Sequence, residues 1–369
     1  MCDYVNEFGR LALHRAEPSI SLTMPVQPGC GESLQNRSLL TRLLDDSRRE
    51  VEKRGHSWSS VGDSLTRFAW GALDDAPAGA MMLLHSSRQR HVYWLPPAVS
   101  PQASVGPRFH FRPLVRALDR PPAFYALVLD PESPALYRSS CRELTSVSEV
   151  ELPRSMQEAL PSVAARLFRR VAGGQRTLTE RVDPARHSDH VQRQFLRTVD
   201  SALRAWLRGP TAALVLCAPP PLRELFLQRT VHRDVIIADL PLPPSCDPAV
   251  LSAHVWRPVE QRWLRQRRAM VASLPALHRA GQLRLGVRQV LPAADEGRVG
   301  SLFIARGRRC WGRYDPRRKR LRCDPQQTSN NDELLDLAAV RAATQGGHVM
   351  FVDDELLPSS APVVALLRY

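Results

Sequence analysis

Two short apolar runs, Ala212–Ala218 and Val235–Leu240, constrain this chain more than any other feature. Neither alternates with polar residues, so each reads as a strand covered on both faces, the usual state of parallel strands. The segments between and after them, 220–230 and 247–275, carry helical periodicity. Strands alternating with helices imply an α/β layer. The strand Phe124–Asp130, a turn at Pro131–Pro134, a strand through Leu136-Tyr137 and an alternating segment Leu144–Leu152 precede them.

The flanks read differently. Residues 1–17 look like a leader. Ser19–Pro25 alternates like a strand, and 36–54 reads as a helix with Leu39, Leu40, Leu43, Leu44 and Val51 on one side. Residues 80–95 read as two strands about a polar turn, and Pro96, Pro97, Pro101 and Pro107 mark a loop. Pro121-Pro122 is the first domain boundary. Toward the C-terminus, Val299–Arg306 reads as a strand, followed by a hairpin about Asp315-Pro316. A helix over Asp332–Gln345 is capped by Gly346-Gly347, His348–Val352 is a strand, and Ala361–Tyr369 is tied into a sheet. The expected fold class is α/β (α+β) in three domains: 18–120, 121–277 and 278–369. A chain of 369 residues is too long for one compact core.

Charge narrows the partners. Fifty-one Lys+Arg against 37 Asp+Glu give a net +14, and Lys occurs only at 53 and 319. Guanidinium forks match phosphate oxygens and stack on bases, so a nucleic-acid or ribosomal partner is expected. A GC-rich genome explains Arg over Lys but not the excess of base. The cysteines at 2, 30, 141, 217, 246, 310 and 323 form no C-x-x-C pair, so neither zinc nor a disulfide framework is expected. Cys310 and Cys323 would face each other across the hairpin if its turn centres on Pro316 and Arg317. Asp3 and Glu7 argue against a signal peptide, and no 18-residue apolar run exists. A cytoplasmic monomer without cofactor or membrane attachment is expected.

One tripeptide carries chemistry. Gly173-Gly174-Gln175 sits in a basic stretch, with Arg166, Arg169, Arg170 and Arg176 around it. Two glycines allow positive φ and close approach of other groups. The Gln amide is uncharged and both donates and accepts hydrogen bonds. A plain turn ending in Gln is the competing reading. The helix around 188–208 follows. It places Val191, Phe195, Val199, Leu203 and Trp206 on one side and Arg193, Arg197, Arg204 and Arg208 on another, a basic face that is either solvated or set against phosphates. Arg317, Arg318, Lys319 and Arg320 crowd the hairpin tip, where they either take an anionic partner or protect a sheet edge. Arg262, Arg265, Arg267 and Arg268 are interleaved with Trp256 and Trp263, which read as core anchors. His187, Ser188, Asp189 and His190 read as a helix start rather than a metal site. No Ser-His-Asp set or carboxylate pair stands at a recognisable spacing.

The order of these segments resembles the archaeo-eukaryotic class I peptide-chain release factor and Pelota superfamily, in its bacterial members. The resemblance is carried over roughly 18–369 by Ser19–Pro25 with its helix, by Tyr125–Asp130, Ala135–Tyr137 and Val150–Pro153, by Gly286, Val290, Ala293 and Gly297–Ile304, and by Leu366–Tyr369. It implies an N-terminal α+β domain, a middle RNase H-like α/β domain bearing a GGQ loop, and a C-terminal ribosomal-protein-like α/β domain. It further implies that Gly173, Gly174 and Gln175 enter the ribosomal peptidyl transferase centre and help water attack the peptidyl-tRNA ester. The ribosome, its rRNA and peptidyl-tRNA are then the partners, with a translational GTPase as a further candidate. The family's codon-reading Asn-Ile-Lys-Ser tetrapeptide is missing, and the comparable region reads Gly55-His56-Ser57-Trp58-Ser59. Rescue of stalled ribosomes therefore fits better than codon-specific termination, and non-catalytic occupation of idle ribosomes is the alternative.

Overall fold

The computed structural model describes residues 14–27, 34–96, 99–121, 123–140, 143–158, 184–204, 213–243, 247–328 and 330–368, with Gly9, Leu11, Trp206, Leu207 and Ser245 besides. The described residues form two compact units, one drawn from Met1–Arg120 with Ala269–Tyr369, the other from Pro121–Arg268.

The first unit opens on β1 (Ser19–Val26), followed by helices α1 (Leu34–Lys53) and α2 (Gly62–Asp74) and strands β2 (Gly79–His85), β3 (Arg90–Leu95) and β4 (Gln102–Gly106). They make a sheet of order β3-β2-β1-β4, antiparallel at each pairing. Side chains alternate across a strand. Ile20, Leu22, Met24, Met81 and Leu83 therefore meet Leu40, Leu43 and Val51 of α1 and Leu65, Ala69 and Leu73 of α2. Ala80, Met82 and Leu84 face the other way, into a second core shared with helix α3 (Arg112–Leu118) and with the C-terminal part of the unit. Both faces of β2 are covered, which is why its sequence is an unbroken apolar run. Strand β4 corrects the expected proline loop: Pro101 and Pro107 lie just outside it, and an edge strand tolerates Pro at its ends.

The second unit is a five-stranded sheet of order β7-β6-β5-β8-β9, built from β5 (Tyr125–Val128), β6 (Ala135–Ser140), β7 (Glu143–Ser146), β8 (Leu214–Cys217) and β9 (Ile236–Leu240). β5, β8 and β9 run parallel, as the apolar runs predict, while β5, β6 and β7 form an antiparallel meander. The alternating segment expected over Leu144–Leu152 stops pairing at Ser146. Helices α4 (Pro184–Leu203) and α5 (Pro220–Arg229) cover one face, placing Phe195, Val199, Leu203, Leu222 and Phe226 against Leu127, Leu129, Leu214 and Leu216. Helix α6 (Pro248–Arg279) covers the other, with Leu251, Val255 and Val259 against Ala126, Val128, Val215 and Cys217. The division between units falls within α6.

The chain returns to the first unit with β10 (Leu283–Leu285), α7 (Gly286–Asp295), β11 (Val299–Ala305), a hairpin of β12 (Trp311–Asp315) and β13 (Arg320–Asp324), the short β14 (Asp332–Glu333), α8 (Leu334–Thr344), β15 (His348–Val352) and β16 (Val363–Leu367). One sheet has the order β10-β16-β11-β15, and a smaller one the order β13-β12-β14. Helix α8 begins two residues later than expected because Asp332 and Glu333 pair with β12. It ends at a left-handed Gly346 (φ +73°), with the Gly347 N–H on Ala342 O at 2.7 Å and the Gly346 N–H on Ala343 O at 3.1 Å. That is the Schellman pattern, which favours Gly at this position.

Candidate nucleic-acid interface

The described chain leaves the β7 side of the second unit at Glu158 and resumes at Pro184, the first residue of α4. Gly173-Gly174-Gln175 with Arg166, Arg169, Arg170 and Arg176 lies in that connection, outside the described residues, as does Arg208 beyond α4. The side chains of His187, Ser188 and Asp189 are outside them too.

Helix α4 itself is anchored by its apolar side. Phe195, Val199 and Leu203 are fully buried, Val191 is half-buried, and Trp206 meets Tyr125 edge-on at 6.4 Å. Arg193, Arg197 and Arg204 are exposed. At 3.6 residues per turn they fall within about 40° of one line along some 16 Å of helix. Asp200 lies in the same sector and is turned away from it: its Oδ1 accepts the Thr230 hydroxyl at 2.5 Å. Thr230 in turn accepts the His232 N–H at 3.0 Å, tying α4 to the turn between α5 and β9. Among the described residues Arg197 and Arg204 therefore keep no ion-pair partner. The diversion of Asp200 left no trace in the sequence, since its partner Thr230 lies 30 positions away.

The tryptophans of α6 part ways. Trp256 packs edge-on against the buried Phe124 at 5.0 Å, as a core anchor does, whereas Trp263 is covered by the Arg267 guanidinium at 5.3 Å. Arg262, Arg265 and Arg268 are exposed.

In the first unit the hairpin turn spans Pro316–Lys319, with Asp315 opposite Arg320. The four-residue turn shifts the register from the expected one: Cys323 stands opposite Gly312, and Cys310 lies diagonal to it. Both are free thiols. Burial and the adjacent Cys323 push the Cys310 thiol up to about 11. Of the four cations expected at the tip, Arg317, Arg318 and Arg320 are exposed to solvent. Lys319 donates instead to Glu296, which also receives Arg298, and these two hydrogen bonds hold the Glu296 carboxyl below its ordinary range. Among the described residues no cluster of three or more His, Cys, Asp or Glu could hold a metal, and no helix is long and apolar enough to cross a membrane.

The mixed α/β unit thus carries a surface helix with a line of arginines, directly after the connection that bears Gly-Gly-Gln. Residues 123–298 match the family described as bacterial archaeo-eukaryotic release factor family 3. That segment, just under half of the chain, is what resembles the archaeo-eukaryotic release factors. No curated protein matches it by sequence. Among solved structures, an archaeal translation termination factor aligns at 13% identity over 99% of this chain and 98% of its own, with a TM-score of 0.21. Pelota of Archaeoglobus fulgidus aligns at 13% identity over 78% and 79%, with a TM-score of 0.32. Pelota of Thermoplasma acidophilum aligns at 13% identity over 79% and 85%, with a TM-score of 0.25.

Proposed function

We propose that this chain is a cytoplasmic, ribosome-binding translation factor that promotes hydrolysis of peptidyl-tRNA on stalled ribosomes through Gln175. The observation that carries the reading is the family match over 123–298, a segment that contains both Gly173-Gly174-Gln175 and the arginine line of α4. In this reading Arg169, Arg170, Arg176, Arg193, Arg197, Arg204 and Arg208 anchor rRNA phosphates, each guanidinium replacing condensed counterions. The two glycines bring backbone close to the tRNA end.

The chemistry needs no titratable side chain. The Gln175 carboxamide orients a water, whose oxygen attacks the ester carbonyl carbon; the bond to the ribose oxygen breaks, and that oxygen leaves with a proton. Holding water in line supplies proximity, and backbone N–H groups of the loop stabilise the oxyanion that develops. Peptidyl-tRNA is the substrate, and a translational GTPase is a candidate for delivery.

Sedimentation with purified ribosomes over a salt series tests the binding half. The chain pellets with ribosomes at low salt and is released as salt rises, and a chain that stays in the supernatant throughout refutes the reading. Pelleting with no release of peptide marks a non-catalytic occupant of the ribosome instead.

A further inference from the structure

Strand alternation gives the β12–β13 hairpin two unlike faces. Gly312, Tyr314, Leu321 and Cys323 share one, and Trp311, Arg313, Asp315, Arg320, Arg322 and Asp324 share the other. The first face is packed along β12: Tyr314 is buried, and a Cβ on Gly312 would stand 2.1 Å from Arg322 O and 2.8 Å from Leu334 Cδ1. A slip of one residue would drive the arginines into that packing, so the register is held. Arg313 and Arg322 are consequently fixed directly opposite each other. Like charges in that position, with Cβ atoms about 5 Å apart, destabilise a sheet.

The nearby acids relieve this at Arg322 alone and leave Arg313 without a counter-charge. Asp315 is engaged by the backbone N–H groups of Arg317 and Arg318, at 3.0 and 3.2 Å. Asp324 forms an ion pair with Arg322 Nε at 3.3 Å and accepts Asn331 Nδ2 at 3.1 Å, while the Arg322 side chain remains 84% exposed. Glu296 is occupied by Lys319 and Arg298. Among the described residues Arg313, Arg317, Arg318 and Arg320 have no ion-pair partner. The turn is also held in place, by the Asp315 contacts and by Lys319, which sits in the left-handed region (φ +51°) with its ammonium on Glu296.

Edge protection accounts for cations on β13, the edge strand of its sheet. It does not account for Arg313, which lies on the central strand and opposes Arg322. We infer that the exposed face of this hairpin is a docking surface for an RNA phosphate backbone, gripped by Arg313, Arg320 and Arg322 with Arg317 and Arg318 at the tip. Phosphate oxygens neutralise the opposed guanidinium pair and accept its planar forks two bonds at a time, a match that a Lys-built patch would lack. The source of that RNA as the ribosome rests on the function proposed above; the phosphate grip itself does not.

Binding of the full chain to a fluorescein-labelled mixed-sequence double-stranded RNA, over a salt series, tests it. In Arg313→Gln/Arg320→Gln/Arg322→Gln the affinity at about 0.1 M salt falls roughly tenfold or more. The slope of log affinity against log salt falls by about 2 to 3, near 0.9 for each phosphate no longer gripped. Without RNA the variant melts no lower than wild type, since an opposed like-charge pair has been removed, and Arg322→Gln alone serves if the triple variant does not fold. An unchanged slope in a folded variant overturns the inference, as does wild-type chain that binds no RNA or binds a poly-glutamate peptide as tightly. Wild type that binds RNA through the hairpin yet never pellets with ribosomes refutes the proposed function and leaves the hairpin surface standing. Ribosome pelleting with the same salt slope in the triple variant defeats the hairpin alone.

Discussion

Asp336 receives the backbone N–H of Phe111 on both carboxylate oxygens, at 3.1 and 3.0 Å, although the two residues stand 225 positions apart. The His110 ring lies 3.5 Å from the same carboxylate, and Arg108 reaches Asp332 at 3.3 Å beside it. Arg112 adds donors to Ala305 O at 2.7 Å and Arg308 O at 2.9 Å. A polar clasp thus joins the segment before α3 to the start of α8 within the first unit. Removing the acceptor leaves a buried N–H unsatisfied, which costs about 1–3 kcal/mol, and the missing charge-assisted bonds add to it. Asp336→Ala is expected to lower unfolding free energy by about 2–4 kcal/mol in urea titrations. Asp336→Asn, which keeps one accepting oxygen, should lose less. Equal midpoints for wild type and Asp336→Ala would discount the clasp.

His85 is buried, with its Nε2 3.0 Å from Ser64 Oγ. Burial, helped by the charge of Arg90, pushes its pKa down from 6.5 to about 4. The unfolded chain therefore binds a proton that the folded one refuses, and stability falls as pH drops from about 6.5 toward 4. The full effect is about 3 kcal/mol at one residue. His85→Gln should flatten this part of the stability–pH curve between pH 7 and 4. Parallel curves for the two proteins would show that His85 is not the group responsible.

Thiol labelling distinguishes two neighbours in the hairpin sheet. With its pKa pushed up to about 11, Cys310 holds only about one thiolate per thousand thiols at pH 8. Iodoacetamide at that pH should modify the exposed Cys323 well before Cys310, as read by peptide mass mapping. Faster labelling of Cys310 would contradict its burial.

The arginine line of α4 makes a separate claim. Arg193→Gln/Arg197→Gln/Arg204→Gln should weaken ribosome binding about tenfold and reduce the salt slope by about 2 to 3. Its melting temperature should stay near that of wild type, because exposed substitutions rarely shift stability by more than about 0.5 kcal/mol. Undiminished pelleting across the salt series would mean that this face is merely solvated.

What was legible in the sequence follows from how local its physical cause is. Strand β8 was readable because Leu214–Cys217 is apolar and buried on both faces, and β9 because Ile236–Leu240 is mostly apolar, although as the edge strand it is only half-buried, with Asp239 exposed. Helix α1 was readable from leucines at steps of three and four. Helix α2 went unread, since its buried line of Leu65, Ala69 and Leu73 holds only two large side chains. The steps of Arg193, Arg197 and Arg204 were visible, yet the turning of Asp200 toward Thr230 depends on a residue 30 positions away. The clasp of Arg108, Phe111, Asp332 and Asp336 has no local period at all, because its halves meet only when the first unit closes. The Arg313–Arg322 opposition needed the length of a turn, and a two-residue error there hides it.

Release of labelled peptide from stalled ribosomes, compared between wild type and Gln175→Ala, bears most directly on the central claim. The wild-type chain should discharge the peptide, and the variant should pellet with ribosomes as wild type does while releasing at least about a hundredfold more slowly, the scale set by losing a positioned water. Equal release by the two proteins, or none by wild type on ribosomes it demonstrably occupies, would contradict hydrolysis through Gln175.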